Sequence, residues 1–253
     1  MISARVAEVR RVSSTLWRID LELLEGVDEP KPFTFAMLWI PRVDEIPLSI
    51  AKFSRGLVSF IFRVRGEGTK RLASLRRGDF VALKMPLGKG YAPKPRERIL
   101  AVAGGVGIAP IPRLLDFCKD TGCDVTIVWG VRTRSEYCDP SLLGLDSDRV
   151  EVASDDGSIG FRGTAIDLAL EVLRNQRFDT AIAIGPKPML RAFCEKVRAF
   201  AISRALVSVE TTVKCGLGIC GSCYIKQLPK LLCVDGPVFD CHEVEHFLEI
   251  PGA

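Results

Sequence analysis

The sequence predicts an antiparallel β barrel, followed by a doubly wound α/β sheet, followed by a small cysteine-bearing lobe. Three observations carry this. Residues 3–88 hold short runs rich in Val, Ile, Leu and Phe, parted by Gly, Pro and charged turns with no long helix among them. Residues 99–209 alternate such runs with stretches of helical spacing, the pattern of a parallel sheet covered on both faces. Cys215, Cys220 and Cys223 then stand as C-x4-C-x2-C, with Cys233 after a gap of nine residues.

In chain order, barrel strands are expected at residues 16–23, 33–40, 57–64 and 80–85, with one helix at 70–76 stopped by Gly78. Pro47, Leu48, Ser49 and Ile50 read as a turn, as do Gly66, Glu67, Gly68 and Thr69; both offer hydroxyls and exposed amides. Gly88, Lys89, Gly90 and Tyr91 read similarly, with a ring to pack on a ligand or on a domain junction. The texture changes near residues 93–95. A buried-type strand at 99–103 leads into Gly104, Gly105, Val106 and Gly107, then a helix beginning near Ala109 and Pro110. A glycine turn between strand and helix lets a pyrophosphate approach the backbone and meet the helix amino terminus, although the full G-x-G-x-x-G pattern is absent. Further strands are expected at 125–131, 149–153, 180–184 and 206–209, and helices at 164–175 and 187–200. Gly185, Pro186, Lys187, Pro188 and Met189 make a second strand-to-helix turn. Two such turns at the carboxyl ends of strands in one sheet border the same crevice. The expected units are residues 1–95, 96–209 and 210–253.

The cysteine spacing is that of a plant-type [2Fe–2S] site. Two irons need converging thiolates, and the chain between the first ligands must wrap the cluster with amides aimed at its sulfurs. Gly216, Gly218 and Gly221 permit the positive φ angles of such a wrap. Structural zinc usually shows two C-x2-4-C pairs well apart in sequence, and a glycine-rich loop of four residues has no purpose there. The short gap before Cys233 implies a tight turn near Pro229.

The 253 residues, 47% hydrophobic and 26% charged, are those of a globular protein of two domains and an appendage. A formal charge of +4 does not argue for nucleic acid; Arg96 with Arg98 and Arg132 with Arg134 read as solvated faces. No run of eighteen apolar residues spans a membrane, and residues 1–10 show no signal peptide, so the cytoplasm is expected. Cys118, Cys123, Cys138, Cys194 and Cys241 are scattered with no disulfide framework and read as buried thiols. His242 and His246 lie four apart but lack a carboxylate–histidine constellation, and no nucleophilic triad is legible.

Taken together, these motifs resemble the ferredoxin–NADP reductase superfamily. More narrowly, they resemble the electron-transfer subunits of class B dihydroorotate dehydrogenases. The likeness covers nearly the whole chain and keeps the order: Pro47, Leu48 and Ser49; Gly68 and Thr69; Gly104, Gly105, Val106 and Gly107; Ser154-Asp155-Asp156-Gly157; Gly185, Pro186, Pro188 and Met189; then the cysteines. Its most specific part is the run from Cys215 to Cys223 continued by Cys233-Val234-Asp235-Gly236-Pro237-Val238-Phe239. The resemblance implies FAD in the barrel. Pro47, Leu48 and Ser49 would hold it, Ile61, Phe62 and Arg63 would form the strand under the flavin, and Gly68 and Thr69 would meet its phosphates. NAD would lie beside it on the two glycine turns with Asp155 and Asp156. Cys215, Cys220, Cys223 and Cys233 would hold the cluster. Two positions depart from the family pattern. Ile46 stands where an arginine is expected, with Arg42 nearby, and Ile184 replaces a cysteine that faces the nicotinamide in relatives.

The resemblance further implies an enzyme subunit of pyrimidine biosynthesis rather than an enzyme complete in itself. Electrons would enter from a separate FMN-bearing dihydroorotate dehydrogenase subunit, cross the cluster, reduce FAD and leave on NAD+. The assembly would be a heterotetramer with two of each subunit. Related subunits of an NADH-dependent ferredoxin–NADP reductase, sulfide dehydrogenase or hydrogenase share the Cys-Val-Asp-Gly-Pro ending, and a redox-sensing module without turnover is a further alternative. The docking face is expected at the cysteine loop, with Leu217, Ile219, Leu228, Leu231 and Leu232 as its apolar residues.

Overall fold

Six strands close a barrel, in a computed structural model that describes residues 1–249; residues 250–253 of the third expected unit lie outside the described residues. The strands are β1 (Ile2–Arg11), β2 (Leu16–Leu23), β3 (Phe35–Ile40), β4 (Asp44–Ser54), β5 (Leu57–Arg63) and β6 (Phe80–Leu87), with α1 (Glu67–Ala73) between the last two. Their order around the barrel is β1-β2-β5-β4-β3-β6, every neighbouring pair antiparallel. Alternation decides the interior. Ile19 and Leu21 of β2, Leu38 of β3, Ile50 of β4, Phe60 and Phe62 of β5 and Leu83 of β6 fill it. On β3 the other face turns outward, and Phe35 and Met37 pack instead in the core of the second sheet.

Two expectations for the barrel are corrected. The stretch from Pro47 to Ile50 is no turn: it lies within β4, where Pro47 pairs with Met37 and Ser49 with Phe35. Polar Asp44, Glu45 and Ser54 disguise this strand in the sequence, but closure pairs it on both sides and satisfies its backbone. Gly68 and Thr69 likewise belong to the first turn of α1, which begins three residues before the expected helix start. The Thr69 hydroxyl accepts the Arg65 and Gly66 N–H groups at 2.9 and 3.1 Å and fixes that start.

The second unit is a seven-stranded sheet ordered β10-β9-β8-β7-β11-β12-β13. Its elements are β7 (Arg98–Gly104), α2 (Ile111–Thr121), β8 (Asp124–Val131), α3 (Pro140–Leu143), β9 (Val150–Ser154), β10 (Phe161–Arg162), α4 (Ala165–Asn175), β11 (Thr180–Ile184), α5 (Lys187–Val197) and β12 (Arg204–Ser208). They are followed by α6 (Leu232–Asp235), β13 (Val238–Asp240) and α7 (Cys241–Glu249). All pairs are parallel except β13, which runs antiparallel to β12. The central strands are buried on both faces, as parallel strands are. Ile99, Ala101 and Ala103 face α2 and the barrel, while Leu100 and Val102 face α4, α5 and α7. The segment after Cys233 therefore adds β13 to the edge of this sheet and packs α7 on α5.

Tyr91 packs at the domain junction. Its ring lies against Phe33, and its hydroxyl donates to the buried Glu97 carboxylate at 2.8 Å. Burial alone would raise the Glu97 carboxyl, but donation from Thr180, the Lys94 N–H, Arg204 and Tyr91 holds it below its usual range. The linker after the barrel is thereby pinned to the amino-terminal ends of β11 and β12.

The cysteines need a further correction. Four of the five expected as separate thiols are paired, Cys118 with Cys123 and Cys194 with Cys241; Cys138 alone is a buried free thiol. The second pair joins α5 to α7 across 47 residues, a closeness that only the fold creates. In unfolded, metal-free chain, five thiols should titrate before reduction and nine after it. Nine without reductant would show the pairs to be unlinked. No helix among the described residues is long and apolar enough to cross a membrane.

Candidate functional site

Two cavities and the cysteine lobe lie side by side at the carboxyl end of the parallel sheet. The first cavity, about 600 Å³, is built where the strand order reverses between β7 and β11. Gly104, Gly105, Val106, Gly107, Asp155, Gly185, Pro186, Pro188 and Met189 lie on its wall. Asp156 does not; its carboxylate accepts the Ser158 N–H at 3.0 Å and closes its own turn. The glycines of the first turn have different reasons. A Cβ on Gly107 would stand 2.2 Å from the Ile184 carbonyl oxygen, and one on Gly104 would stand 2.4 Å from Met189 Sδ, so packing of the two turns excludes them. Gly105, at φ +55°, has nothing within 4 Å of that position. It is where a ligand can meet bare backbone, in a turn held by the Trp129 indole N–H on the Gly105 carbonyl at 3.0 Å.

The second cavity, about 390 Å³, opens on the barrel. Pro47, Leu48, Ser49, Ile61, Phe62, Arg63 and Thr69 lie on its wall, as does Ile184. Gly68 lies behind this wall, where a Cβ would stand 2.9 Å from Ile46 Cγ2. Ile46 itself is on the wall and Arg42 is not. The wall thus joins a broad apolar surface to a few polar groups, which suits a flat ring system carrying a polar tail. Arg63, Arg65, Val106 and Glu210 belong to both cavities, which therefore meet along these residues. Sequence reasoning missed Arg65 and Glu210. A signal existed for each: Arg65 keeps the alternation of Arg63 beyond β5, and Glu210 follows the carboxyl end of a sheet strand.

The far wall of the barrel cavity includes Val213, Leu232 and Pro237, and Leu232 is the chain neighbour of Cys233. The lobe is seated on the barrel. The Lys84 ammonium donates to the Cys215 carbonyl at 2.9 Å, and a Cβ on Gly216 would stand 2.8 Å from Leu87 Cδ1 and 3.0 Å from Met37 Cγ. Gly216, Gly218 and Gly221 all take φ between +72° and +75°. The tight turn near Pro229 is present, closed by the Ile225 N–H on the Lys230 carbonyl at 3.0 Å.

Among the described residues, no three His, Cys, Asp or Glu side chains converge on one ion. The four cysteines instead stand two by two. Cys223 and Cys233 are buried with their sulfurs 3.2 Å apart, while Cys220 is exposed, Cys215 half-buried, and these two are hydrogen-bonded to each other. Backbone N–H groups point at the sulfurs, from Leu217 to Cys215 at 3.3 Å and from Gly218 to Cys233 at 3.2 Å. The Leu217 amide, with those of Cys220 and Ile219, brings the Cys215 thiol down to about 6; the Ser222 hydroxyl and amide lower that of Cys220. Burial and the neighbouring Cys223 push Cys233 up to about 11. Two pairs of sulfurs, already furnished with amide donors, fit a two-iron cluster.

Residues 210–245 match the model of the iron-sulfur cluster binding domain of dihydroorotate dehydrogenase B. A protein of Methanocaldococcus jannaschii, described as the probable electron transfer subunit of dihydroorotate dehydrogenase B (NAD(+)), is 38% identical over 83% of this chain and 79% of its own. The chain belongs to this family of electron transfer subunits. The corresponding subunit of Desulforamulus reducens is 35% identical, over 78% of this chain and 79% of its own. Among solved structures, a chain of the NADH-dependent reduced ferredoxin-NADP oxidoreductase superposes with a TM-score of 0.85 at 28% identity, covering 95% of this chain and 89% of its own. Ferredoxin reductase of carbazole 1,9a-dioxygenase, at 20% identity and a TM-score of 0.68 over 79% of this chain, shares the fold.

Proposed function

We propose that this chain is the electron-transfer subunit of a dihydroorotate dehydrogenase B, working between NAD and a catalytic subunit that bears FMN, in pyrimidine biosynthesis. The observation that carries the reading is the alignment of three sites. The glycine-turn cavity meets the barrel cavity along Arg63, Arg65, Val106 and Glu210, and the barrel cavity ends on Leu232, beside the buried cysteine pair. FAD, when bound, supplies the junction between hydride exchange with NAD and the single electrons that a [2Fe–2S] cluster carries. The chain's own residues hold the parts in register. Gly105 admits the coenzyme to the backbone, Val106 forms the boundary where nicotinamide and flavin would meet, and Pro47, Leu48, Ile61 and Phe62 keep the barrel cavity apolar. Cys223 and Cys233 would face inward, and Cys215 and Cys220 outward.

That outward pair lies beside exposed apolar side chains: Leu217 and Ile219, with Tyr224 and Val234. Leu232 is buried, and Leu228 and Leu231 pack against the core, so these three cover the lobe rather than forming its docking face. We assign docking of the catalytic subunit to the exposed four, in a heterotetramer with two of each subunit. Full chain loaded with FAD and cluster, mixed with the matching catalytic subunit, should oxidise dihydroorotate with NAD+, and neither subunit should do so alone. Ile219→Asp should slow this transfer roughly 10-fold while leaving NADH reduction of the bound flavin unchanged. Equal rates for the variant and the parent would remove Ile219 from the docking face.

A second reading has an observation of its own, the TM-score of 0.85 to the NADH-dependent reduced ferredoxin-NADP oxidoreductase chain. The subunit that co-purifies decides between them. An FMN protein that turns over dihydroorotate supports the first, and a ferredoxin–NADP-linked partner supports the second.

A further inference from the structure

The barrel cavity has a largely apolar wall with the Ser49, Thr69, Ser208 and Thr211 hydroxyls on it, so the charged groups able to meet a dinucleotide's pyrophosphate can be enumerated. Among the described residues, its only cations are Arg63 and Arg65. Position 46, on the same wall, is apolar isoleucine. The Thr69 hydroxyl is already occupied: it accepts the Arg65 and Gly66 N–H groups and donates to the Gly66 carbonyl at 3.0 Å. Glu210, a carboxylate on this wall, has the wrong sign for a phosphate. A pyrophosphate held against such a wall needs a counter-charge and donors, and a guanidinium presents both in one planar fork.

Neither guanidinium has an ion-pair or hydrogen-bond partner among the described residues. Their positions differ. Arg63 is the last residue of β5, half-buried, and paired in register with Leu16. Arg65 is exposed, and its backbone N–H is tied to Thr69 at the start of α1, so its side chain springs from the rim the two cavities share. We infer that Arg65 is the residue that holds the flavin pyrophosphate in this chain, in place of a cation at position 46. It thereby makes the barrel cavity selective for a phosphate-bearing flavin. This inference rests on reading the barrel cavity as the flavin site.

The test is equilibrium binding to the full chain after removal of its flavin, read by flavin fluorescence, with FAD and riboflavin as probes. Riboflavin keeps the ring system and lacks phosphate. Arg65→Gln should weaken FAD binding roughly 10- to 100-fold, the loss expected for a charge-assisted contact, and leave riboflavin binding unchanged. Arg65→Lys should recover part of the loss, because a point charge replaces the fork. Added salt should narrow the gap between parent and Arg65→Gln, since the contact is solvent-exposed. Four results overturn the inference: unchanged FAD affinity in Arg65→Gln, equal loss of riboflavin, a larger FAD loss in Arg63→Gln, or an effect confined to the KM for NADH. The last would move Arg65 to the coenzyme side of the shared rim. Failure of the parent chain to bind FAD at all would overturn the cavity reading itself, and is distinguishable because it precedes any variant.

Discussion

Cys220→Ser abolishes the iron–sulfur cluster. Anaerobically prepared parent chain should contain about two irons and two labile sulfides, and the variant close to none of either. Cys220 is the middle residue of the C-x4-C-x2-C run, stands at the surface, and is hydrogen-bonded to Cys215, so no other sulfur can take its place without unwinding the loop. A serine hydroxyl ionises far less readily than a thiol whose acidity is already raised by the Ser222 hydroxyl and amide. Cys138→Ser should leave iron and sulfide unchanged, because Cys138 belongs to a buried apolar cluster that contains no residue of the lobe. The flavin should survive in both variants, since its cavity takes no wall from Cys220. Stoichiometric zinc without sulfide in the parent would sink the assignment of the cluster. A normal cluster in Cys233→Ser would remove Cys233 as fourth ligand, and Cys241 is ill-placed to substitute, being paired with Cys194.

Gly105→Leu stops NADH from bleaching the bound flavin, with a rate loss on the order of 100-fold or more, as displacement of a reacting group by about 1 Å already costs that much. A side chain at this position projects into the open space of the glycine-turn cavity, and its backbone at φ +55° also strains any residue with a Cβ, by roughly 1 kcal/mol. FAD content and reduction by dithionite should be normal, which separates a blocked coenzyme from a damaged flavin site. Gly107→Ala makes a useful contrast. Its Cβ would collide with the Ile184 carbonyl, so its expected failure is in folding of the two turns rather than in coenzyme access. Stopped-flow absorbance under anaerobic conditions reads both. Normal bleaching in Gly105→Leu would move the coenzyme away from this turn.

Local chemistry and periodicity determined much of this protein. Buried strands such as residues 99–103 and 180–184 are uniform apolar runs because both their faces are covered, and no other context tolerates them. The candidate cluster cysteines stand out in the sequence because spacing and interleaved glycines are local properties of a loop. The glycine turns at Gly104 and Gly185 were equally visible, but not the reasons for them. Only the parallel pairing of β7 with β11 shows that Gly107 is demanded by Ile184 and that Gly105, of the glycines in that turn, is open. The same limit explains β4, whose polar residues look like a turn until barrel closure supplies partners on both sides. It explains the Cys194–Cys241 pair, which depends on α7 packing against α5. It also explains Arg65 and Glu210, single charged residues whose importance arises where two cavities share a rim. Sequence determines what each segment can do by itself. Which groups face one another across long separations was decided by tertiary structure, because closing a barrel and stacking a sheet on it bring together side chains that no local rule relates.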